Sequence, residues 1–582
     1  MKKITGAEIF VRSLYEEGVD VLFGYTGAKV ISIFDQLYES DLKLIMPHHE
    51  QGGVHAADGY ARSTGKVGVC ITTSGPGATN MVTGLATANM DSVPIVAFTG
   101  QVANSAIGTD GFQEADIKGI TLPITKNNYL VDDVKNLARI IKEAFYIARS
   151  GRPGPVLVDL PQDVLKGEIE FNYPETVSVP GYDPVYEGNR EQIEKAAELI
   201  NAARKPVLYA GGGVIISGAS NQLRTLAEKA DIPVTTTLTG IGSFDERSKL
   251  SLGMLGMHGT TEANLAVTNS DLLIALGARF DDRATGKLEL FAPNAKVVHI
   301  DIDPAEIGKL RTPNVSIEGD VKEVLKVLNP LVKNFYRPEW VDQVTKWAEL
   351  DHKAGQYKKE KLCPSQIIEE LNSLTDGDAI ITTEVGQHQM WAAQYFSYSR
   401  PRSFLSSGGL GTMGYGLPAA VGAQIGNPEA DVFCLAGDGS IQMNIQEFAT
   451  IAKNKLPVKI IIFNNQYLGM VRQWQELFFE KRYAGTCLRR QEGCPPQCSA
   501  PGDDCPEMIP DFVQVAKGYG IKAKRVSKPE EVKSALQEAM DSKEAYLLDF
   551  IIEEEENVFP MVPAGGTLDD MILRKDIVGD IT

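Results

Sequence analysis

Cysteine is scarce in this chain. Seven in 582 residues are too few for a disulfide-dense secreted scaffold and favour a reducing compartment, read as the cytoplasm. A basic excess is missing as well. The formal net charge of −19 excludes broad, non-specific binding to nucleic acid or to anionic membrane, so an anionic substrate must be met by locally placed Arg, Lys or metal. Long apolar runs are also absent. The two uncharged stretches, 67–90 and 404–428, are rich in Gly, Thr, Ser and Pro; they are too weakly apolar for membrane spans and suit close backbone approach to a ligand. At the amino terminus Glu8 and Arg12 interrupt any signal-peptide core, which leaves an amphipathic first helix. Low complexity is confined to four glutamates at 553–556, read as a solvated turn at a strand end.

What is present is length for about three or four domains and a steady alternation of apolar strands with helical patterns. Residues 1–172 carry VLFGYTG, LKLIMPHH, VGVCITTSGPG, VPIVAFTG and GPVLVDLP, and 173–190 read as a Pro-, Gly- and Tyr-rich linker. A second unit at 191–340 carries PVLYAGGG, IPVTTTL, DLLIALGA and KVVHIDID, and a charged helical link follows at 341–363. The third unit, 364–560, carries AIITTEVG, SFLSSGG and AYLLDFII, with a tail at 561–582. The fold class expected is α/β, with three doubly wound domains of mostly parallel sheet. Whether the first and third units are copies of each other is not readable from one sequence.

The rest of the chain is organised around 432–465. An apolar run meets GDGS at 437–440, helix-spaced apolar residues follow at Ile441, Ile445, Phe448 and Ala452, and a second apolar run ends in Asn464 and Asn465. Such a βαβ unit places Asp438 and Asn465 past the carboxyl ends of parallel strands, where open α/β sheets bind ligands. Two hard oxygens beside a helix amino terminus suit Mg²⁺ carrying a diphosphate. The plainer alternative is an ordinary βα turn with Asp as helix cap.

Other stretches are ambiguous when read alone. His49, Glu50 and His55 invite a zinc reading but lack the spacing that puts two His on one helix face. SGPGATN at 74–80 says only "turn", and GLGTMG at 409–414 is a weak dinucleotide match. The helix after the cradle, with Met470, Val471 and Trp474, reads most simply as an amphipathic core helix.

Taken jointly, these strings resemble the catalytic subunits of acetohydroxyacid synthases, the FAD-containing thiamine diphosphate (ThDP) enzymes. The resemblance runs from Ile4 to Ile572, and GARFDDR at 277–283 is its most specific motif. It implies that Glu50 shares a proton with the aminopyrimidine ring, the role of a desolvated carboxyl with a raised pKa. Thr73, Pro76 and Asn80 would lie at the same end of the cofactor, with Phe112 and Gln113 near the reacting centre. Gln387 and His388 would bind the diphosphate, together with Gly437, Asp438, Gly439 and Ser440. The Mg²⁺ ligands would be Asp438, Asn465 and the Tyr467 carbonyl. Gly411 would accept the cofactor's amino hydrogen, while Met413, Met470 and Val471 pack against its rings. Arg283 would clamp a carboxylate, and Trp474 would select the second substrate.

For FAD the resemblance implies Arg152, Gly211, Gly212, Gly213, Thr237 and Leu238. It adds Met257, His258, Gly277, Ala278, Arg279 and Asp281, then Asp301, Ile302 and Asp320. The activity implied is decarboxylation of pyruvate and ligation to a second pyruvate or to 2-ketobutyrate, giving 2-acetolactate or 2-aceto-2-hydroxybutyrate. A homodimer or homotetramer is implied, with room for a small regulatory subunit. Pyruvate oxidase is the rival enzyme, disfavoured by GARFDDR and Trp474. A non-catalytic ThDP-fold protein is disfavoured by Glu50, Asp438, Asn465 and Met413.

Three departures stand out. Pro161 is followed by Gln162 where such chains commonly carry lysine. GYTGAKV has Thr26 in place of proline and Lys29 in a position usually small and apolar. The stretch 486–508 is an insertion holding Cys487, Cys494, Cys498 and Cys505, open to metal, disulfide or free-thiol readings.

Overall fold

A computed structural model describes residues 3–352, 361–490, 492, 494, 498 and 505–573, apart from the side chains of 350–352. Three six-stranded sheets follow one another along the chain, and every strand pair within them is parallel. This is the α/β class expected from the alternation of apolar strands with helices. A two-stranded antiparallel pair, Lys3–Thr5 with Glu168–Glu170, ties the start of the chain to the end of the first unit.

With strands numbered by sequence order within each sheet, the first and third sheets share one order, 2-1-3-4-6-5, and the middle sheet runs 3-2-1-4-5-6. The middle order is that of dinucleotide-binding sheets, whose ligand lies at the point where strand order reverses. In the first sheet the reversal falls between Val21–Gly24 and Gly68–Thr72; in the third it falls between Ile380–Thr383 and Val432–Gly437. The two outer units therefore share one topology, which the bare sequence does not reveal.

Several strands escape the apolar pattern: Asn127–Leu130, Ser251–Met254, Val315–Glu318 and Lys522–Val526. All four are edge strands, with one neighbour each, and edges take polar residues because one side of the strand faces solvent.

The outer units are locked together. Helix Glu50–Thr64 crosses helix Gly416–Gly426 at backbone contact, since a Cβ at Gly59 would lie 2.2 Å from the Ala419 carbonyl oxygen and one at Gly422 would lie 1.8 Å from that of Ala56. One apolar cluster continues from Phe23, Val54 and Tyr60 through Leu417 and Val421 to Ile460 and Phe512. The four glutamates at 553–556 are half-buried rather than solvated. Glu553 pairs with Lys361 and Glu554 with Arg489, Glu555 takes Lys481 at 3.1 Å and the Tyr483 hydroxyl at 2.8 Å, and the Glu556 carbonyl accepts from Arg472. No described helix is long and apolar enough to cross a membrane.

Candidate active site

The reversal crevice of the third sheet holds a pocket lined by Gly386, Gln387, His388, Met413, Gly437–Ser440, Asn465, Tyr467, Met470 and Val471. Strands Val432–Gly437 and Lys459–Asn464 pair in parallel and deliver Asp438 and Asn465 to this one rim. The helix expected straight after GDGS is broken in two: a 3-10 turn covers Ile441–Met443, and the α-helix starts only at Glu447. The backbone around Asp438 is therefore a tight turn, not a full helix terminus.

Asp438 is buried, and its carboxylate accepts the N–H of Gly439 at 2.9 Å and that of Gln466, with no cationic side chain beside it. Burial pushes its pKa from the ordinary 3.8 up to about 8. A desolvated carboxyl without a counter-charge is chemically suited to a divalent cation. Asn465 Oδ1 accepts the Tyr467 N–H at 3.1 Å and keeps a second lone pair free for a ligand. His388 is held by the Glu384 carbonyl, burial depresses its pKa to about 3, and its Nε2 is buried without a partner. An anion placed there would favour protonation of that nitrogen. These donors and acceptors fit Mg²⁺ and a diphosphate.

The structure departs from expectation at some residues. Both amide hydrogens of Gln387 are engaged, one by Gln473 Oε1 at 2.9 Å and one by the Glu556 carbonyl at 2.8 Å, so the side chain has no hydrogen to give a phosphate. Gly411 (φ 76°) and Trp474 lie outside the pocket lining, Gly411 near Val385 and Trp474 edge-on to Phe478 at 5.5 Å. Helix Gly469–Phe478 inverts the core-helix reading. Its buried residues are Arg472 and Gln473, while Met470 and Trp474 are half-exposed and Val471 is 51% exposed. Arg472 holds Glu476 at 2.7 Å and Asn557 Oδ1 at 2.6 Å, and Gln473 exchanges hydrogen bonds with the backbone of Val558. A helix that buries its polar side on the protein presents its apolar side to a ligand.

Glu50 opens helix Glu50–Thr64, and its Oε2 accepts from Asn80 Nδ2 at 2.9 Å. The preceding backbone is fixed from the third unit: the buried Glu447 carboxylate accepts the N–H groups of His48 at 3.0 Å and His49 at 3.1 Å. Gln113 sits half-buried with φ 61°, backed by Gly75, and Phe112 is 84% exposed. Thr73 and Pro76 share the switch-point loop of the first sheet. None of these first-unit residues lines the third-unit pocket of the same chain. Asp91 holds the glycine segment in place by accepting the N–H groups of Gly408 and Gly409 while paired to Arg62. Glu384 and Glu447 were not found from sequence; an acid closing an apolar strand, as in AIITTE, is the signal that flags Glu384.

In the middle unit one pocket brings together Arg152, Gly211–Gly213, Thr237, Gly277–Arg279, Asp281, Asp301, Ile302 and Asp320. It sits at that sheet's reversal point, between strands Pro206–Ala210 and Leu272–Leu276. Asp301, pushed up to about 6 by burial, closes strand Lys296–Asp301 at the pocket's edge, far along the chain from the glycine turn. Arg152 is tied to Asp303 and Glu306. Leu238 lines an adjoining cavity. Met257 and His258 are not in the pocket, because the tail covers them: Val562 N–H bonds the Met257 carbonyl at 2.8 Å, and His258 meets the Pro560 carbonyl at 3.3 Å. Arg283 is mostly exposed. The glycine turn after the first strand, with Arg152, Asp301 and Asp320 around it, is the kind of residue set that fits a dinucleotide such as FAD. Gly211→Ala would put a methyl 2.1 Å from the Gly277 carbonyl oxygen; the expected cost is about 1–3 kcal/mol, read as a lower denaturation midpoint together with flavin loss.

The cysteine-rich stretch lies only partly within the described residues. The backbones of Cys487 and Tyr467 form an isolated antiparallel β-bridge, none of the seven cysteines is in a disulfide, and among the described residues no group of His, Cys, Asp or Glu is arranged to hold a metal.

Known proteins bear on this arrangement directly. Residues 4–120, 193–328 and 384–550 match the N-terminal TPP binding, central and C-terminal TPP binding domains of thiamine pyrophosphate enzymes. An acetolactate synthase of Mycobacterium bovis is 49% identical over 586 residues, spanning 99% of this chain and 93% of the relative. The acetolactate synthase large subunit of Corynebacterium glutamicum is 48% identical over 98% of this chain and 90% of its own length. The chloroplastic acetolactate synthase of Arabidopsis thaliana is 49% identical over 98% and 85%. With all three domains in order and near-complete coverage, this chain belongs to the acetolactate synthase large-subunit family of thiamine diphosphate enzymes.

Proposed function

We propose that the chain is an acetolactate synthase. It would join the two-carbon fragment of decarboxylated pyruvate to a second pyruvate or to 2-ketobutyrate, in the pathway to branched-chain amino acids. The observation that carries this reading is the buried, uncompensated Asp438 at one switch point, set against Glu50 and its Asn80 partner at the matching switch point of the sister unit.

Bound ThDP supplies the carbon nucleophile and the sink for the electron pair that carbon dioxide leaves behind. Asp438, Asn465 and the Tyr467 carbonyl would hold Mg²⁺, and His388 would meet the diphosphate. Glu50 would hold and return the pyrimidine proton. Met470 and Val471, which line the pocket, would pack against the bound cofactor, while Trp474, one turn further along the helix and outside that lining, would meet only an acceptor that extends beyond it. An extra methylene against an aromatic wall changes binding by about 1–3 kcal/mol, enough for preference. FAD in the middle unit is structural, since the net reaction moves no electrons. Each cradle is completed by Glu50 of a second copy, so the working unit is at least a homodimer, and we place it in the cytoplasm.

The test is incubation of the full-length protein with pyruvate, ThDP, Mg²⁺ and FAD, with and without 2-ketobutyrate. Acetolactate should form without oxygen uptake or acetyl phosphate. Acetyl phosphate with oxygen consumption would replace this reading by an oxidase.

A further inference from the structure

We propose that Lys29, steered by Gln162, is the cation that receives the carboxylate of the incoming 2-keto acid; this rests on the acetolactate synthase reading and names a substrate-binding residue within it.

The topology places Lys29 first. In the third sheet, the connections after strands 1 and 3 flank the reversal crevice and lead to His388, the second residue of helix Gln387–Tyr395, and to Asp438. The first sheet has the same order, and its corresponding connections are 25–30 and 73–80. Lys29 therefore occupies in the first unit the place that the connection leading to His388 occupies in the third.

Contacts bring it to the same rim as Glu50. The Lys29 N–H donates to Thr73 Oγ1 at 3.4 Å, and a Cβ on Gly27 would lie 2.5 Å from the Thr73 side chain. A Cβ on Gly77 would lie 3.0 Å from Thr73 and 3.3 Å from Glu50 Oε1. Thr73 thus touches the lysine loop on one side and Gly77, which lies beside Glu50, on the other. Gly100, closing the next strand, leaves room for the lysine stem: a Cβ there would sit 2.8 Å from Lys29 Cβ.

The ammonium is held without being neutralised. Lys29 Nζ donates to Gln162 Oε1 at 3.4 Å, and Gln162 Nε2 donates in turn to the Ala28 carbonyl at 3.2 Å. Among the described residues Lys29 is half-buried and takes part in no ion pair. In a chain of net charge −19, a half-buried cation oriented by a neutral amide is a charge kept for an external anion. The two positions where this chain departs from the pattern it resembles, Lys29 and Gln162, are in contact with each other.

Donor pyruvate loses its carboxylate as carbon dioxide, so a cation that gripped it through the transition state would oppose the reaction. The charge acts instead on capture, which changes KM and leaves kcat in place.

The experiment uses the holoenzyme with ThDP, Mg²⁺ and flavin. Lys29→Met should raise KM for pyruvate about tenfold with kcat within about twofold, and should flatten the dependence of kcat/KM on ionic strength. Lys29→Arg should keep most of the parental KM, and the transposed variant Lys29→Met with Gln162→Lys should recover it. An unchanged KM in Lys29→Met, or a transposed variant as poor as Lys29→Met, overturns the proposal. So does a loss of kcat accompanied by a lower melting temperature, which would make Lys29 a structural residue. If the parent protein forms no acetolactate, the underlying reading fails instead, and the two failures are told apart in the same assay.

Discussion

Glu50→Gln should abolish acetolactate formation to about 10²–10⁴-fold below the parent rate, the range for removing a positioned proton donor and acceptor. The change is nearly isosteric. Asn80 Nδ2, which now donates to Glu50 Oε2 at 2.9 Å, can still donate to an amide oxygen, and the Glu447 carboxylate that holds the His48 and His49 backbone is untouched. Folding and diphosphate binding should therefore be preserved, because the cradle belongs to another unit. What is lost is the ability to share a proton. Steady-state turnover with pyruvate, measured alongside ThDP binding, separates the two effects. Turnover within tenfold of the parent, at full cofactor occupancy, would remove Glu50 from the chemistry.

Asp438→Asn should fold normally and lose cofactor. The buried carboxyl has its pKa at about 8, so in the cofactor-free protein it is largely protonated at neutral pH, and an amide of the same shape replaces a neutral group. Mg²⁺ requires the carboxylate, so metal and proton compete for one group. Because the folded pKa is raised, proton binding stabilises the cofactor-free fold. That contribution is complete below the carboxyl's ordinary 3.8 and is lost as pH rises through about 8. Mg²⁺-dependent ThDP affinity in the parent should thus fall about tenfold per pH unit on descending below that value, with about one proton released per metal bound, and level off above it. Titration calorimetry in buffers of different ionisation enthalpy, from pH 6 to 9, reads both quantities. The variant should bind weakly with no such slope, and a flat parental profile would show that Asp438 does not meet the metal.

The strands that build the switch points are apolar and flanked by Gly, Asp or Asn, so their positions and the Asp438–Asn465 cradle could be read from periodicity and turn chemistry alone. Edge strands such as Lys522–Val526 could not, because solvent on one side frees their residues from the apolar pattern. For helix Gly469–Phe478 the plain core-helix alternative fails for a related reason. Periodicity locates an apolar face but does not say whether the other side is solvated, and here Arg472 and Gln473 are buried by the 556–558 backbone. The partners of Glu447 and Glu384 lie dozens or hundreds of residues away, at His48, His49, Gly416 and Ser440, and no local window reports them. Met257 and His258 were assigned by resemblance to the flavin site, but the tail packs over them and they lie outside that pocket.

The cradle of each chain is lined only by residues between Val385 and Val471, while Glu50 is held elsewhere on the same polypeptide by Asn80. In genetic terms, if the site is shared between two copies as proposed, lesions at Glu50 and at Asp438 should complement each other within one gene. Co-expressed, two such alleles would assemble mixed pairs in which one site inherits both defects and the other inherits neither.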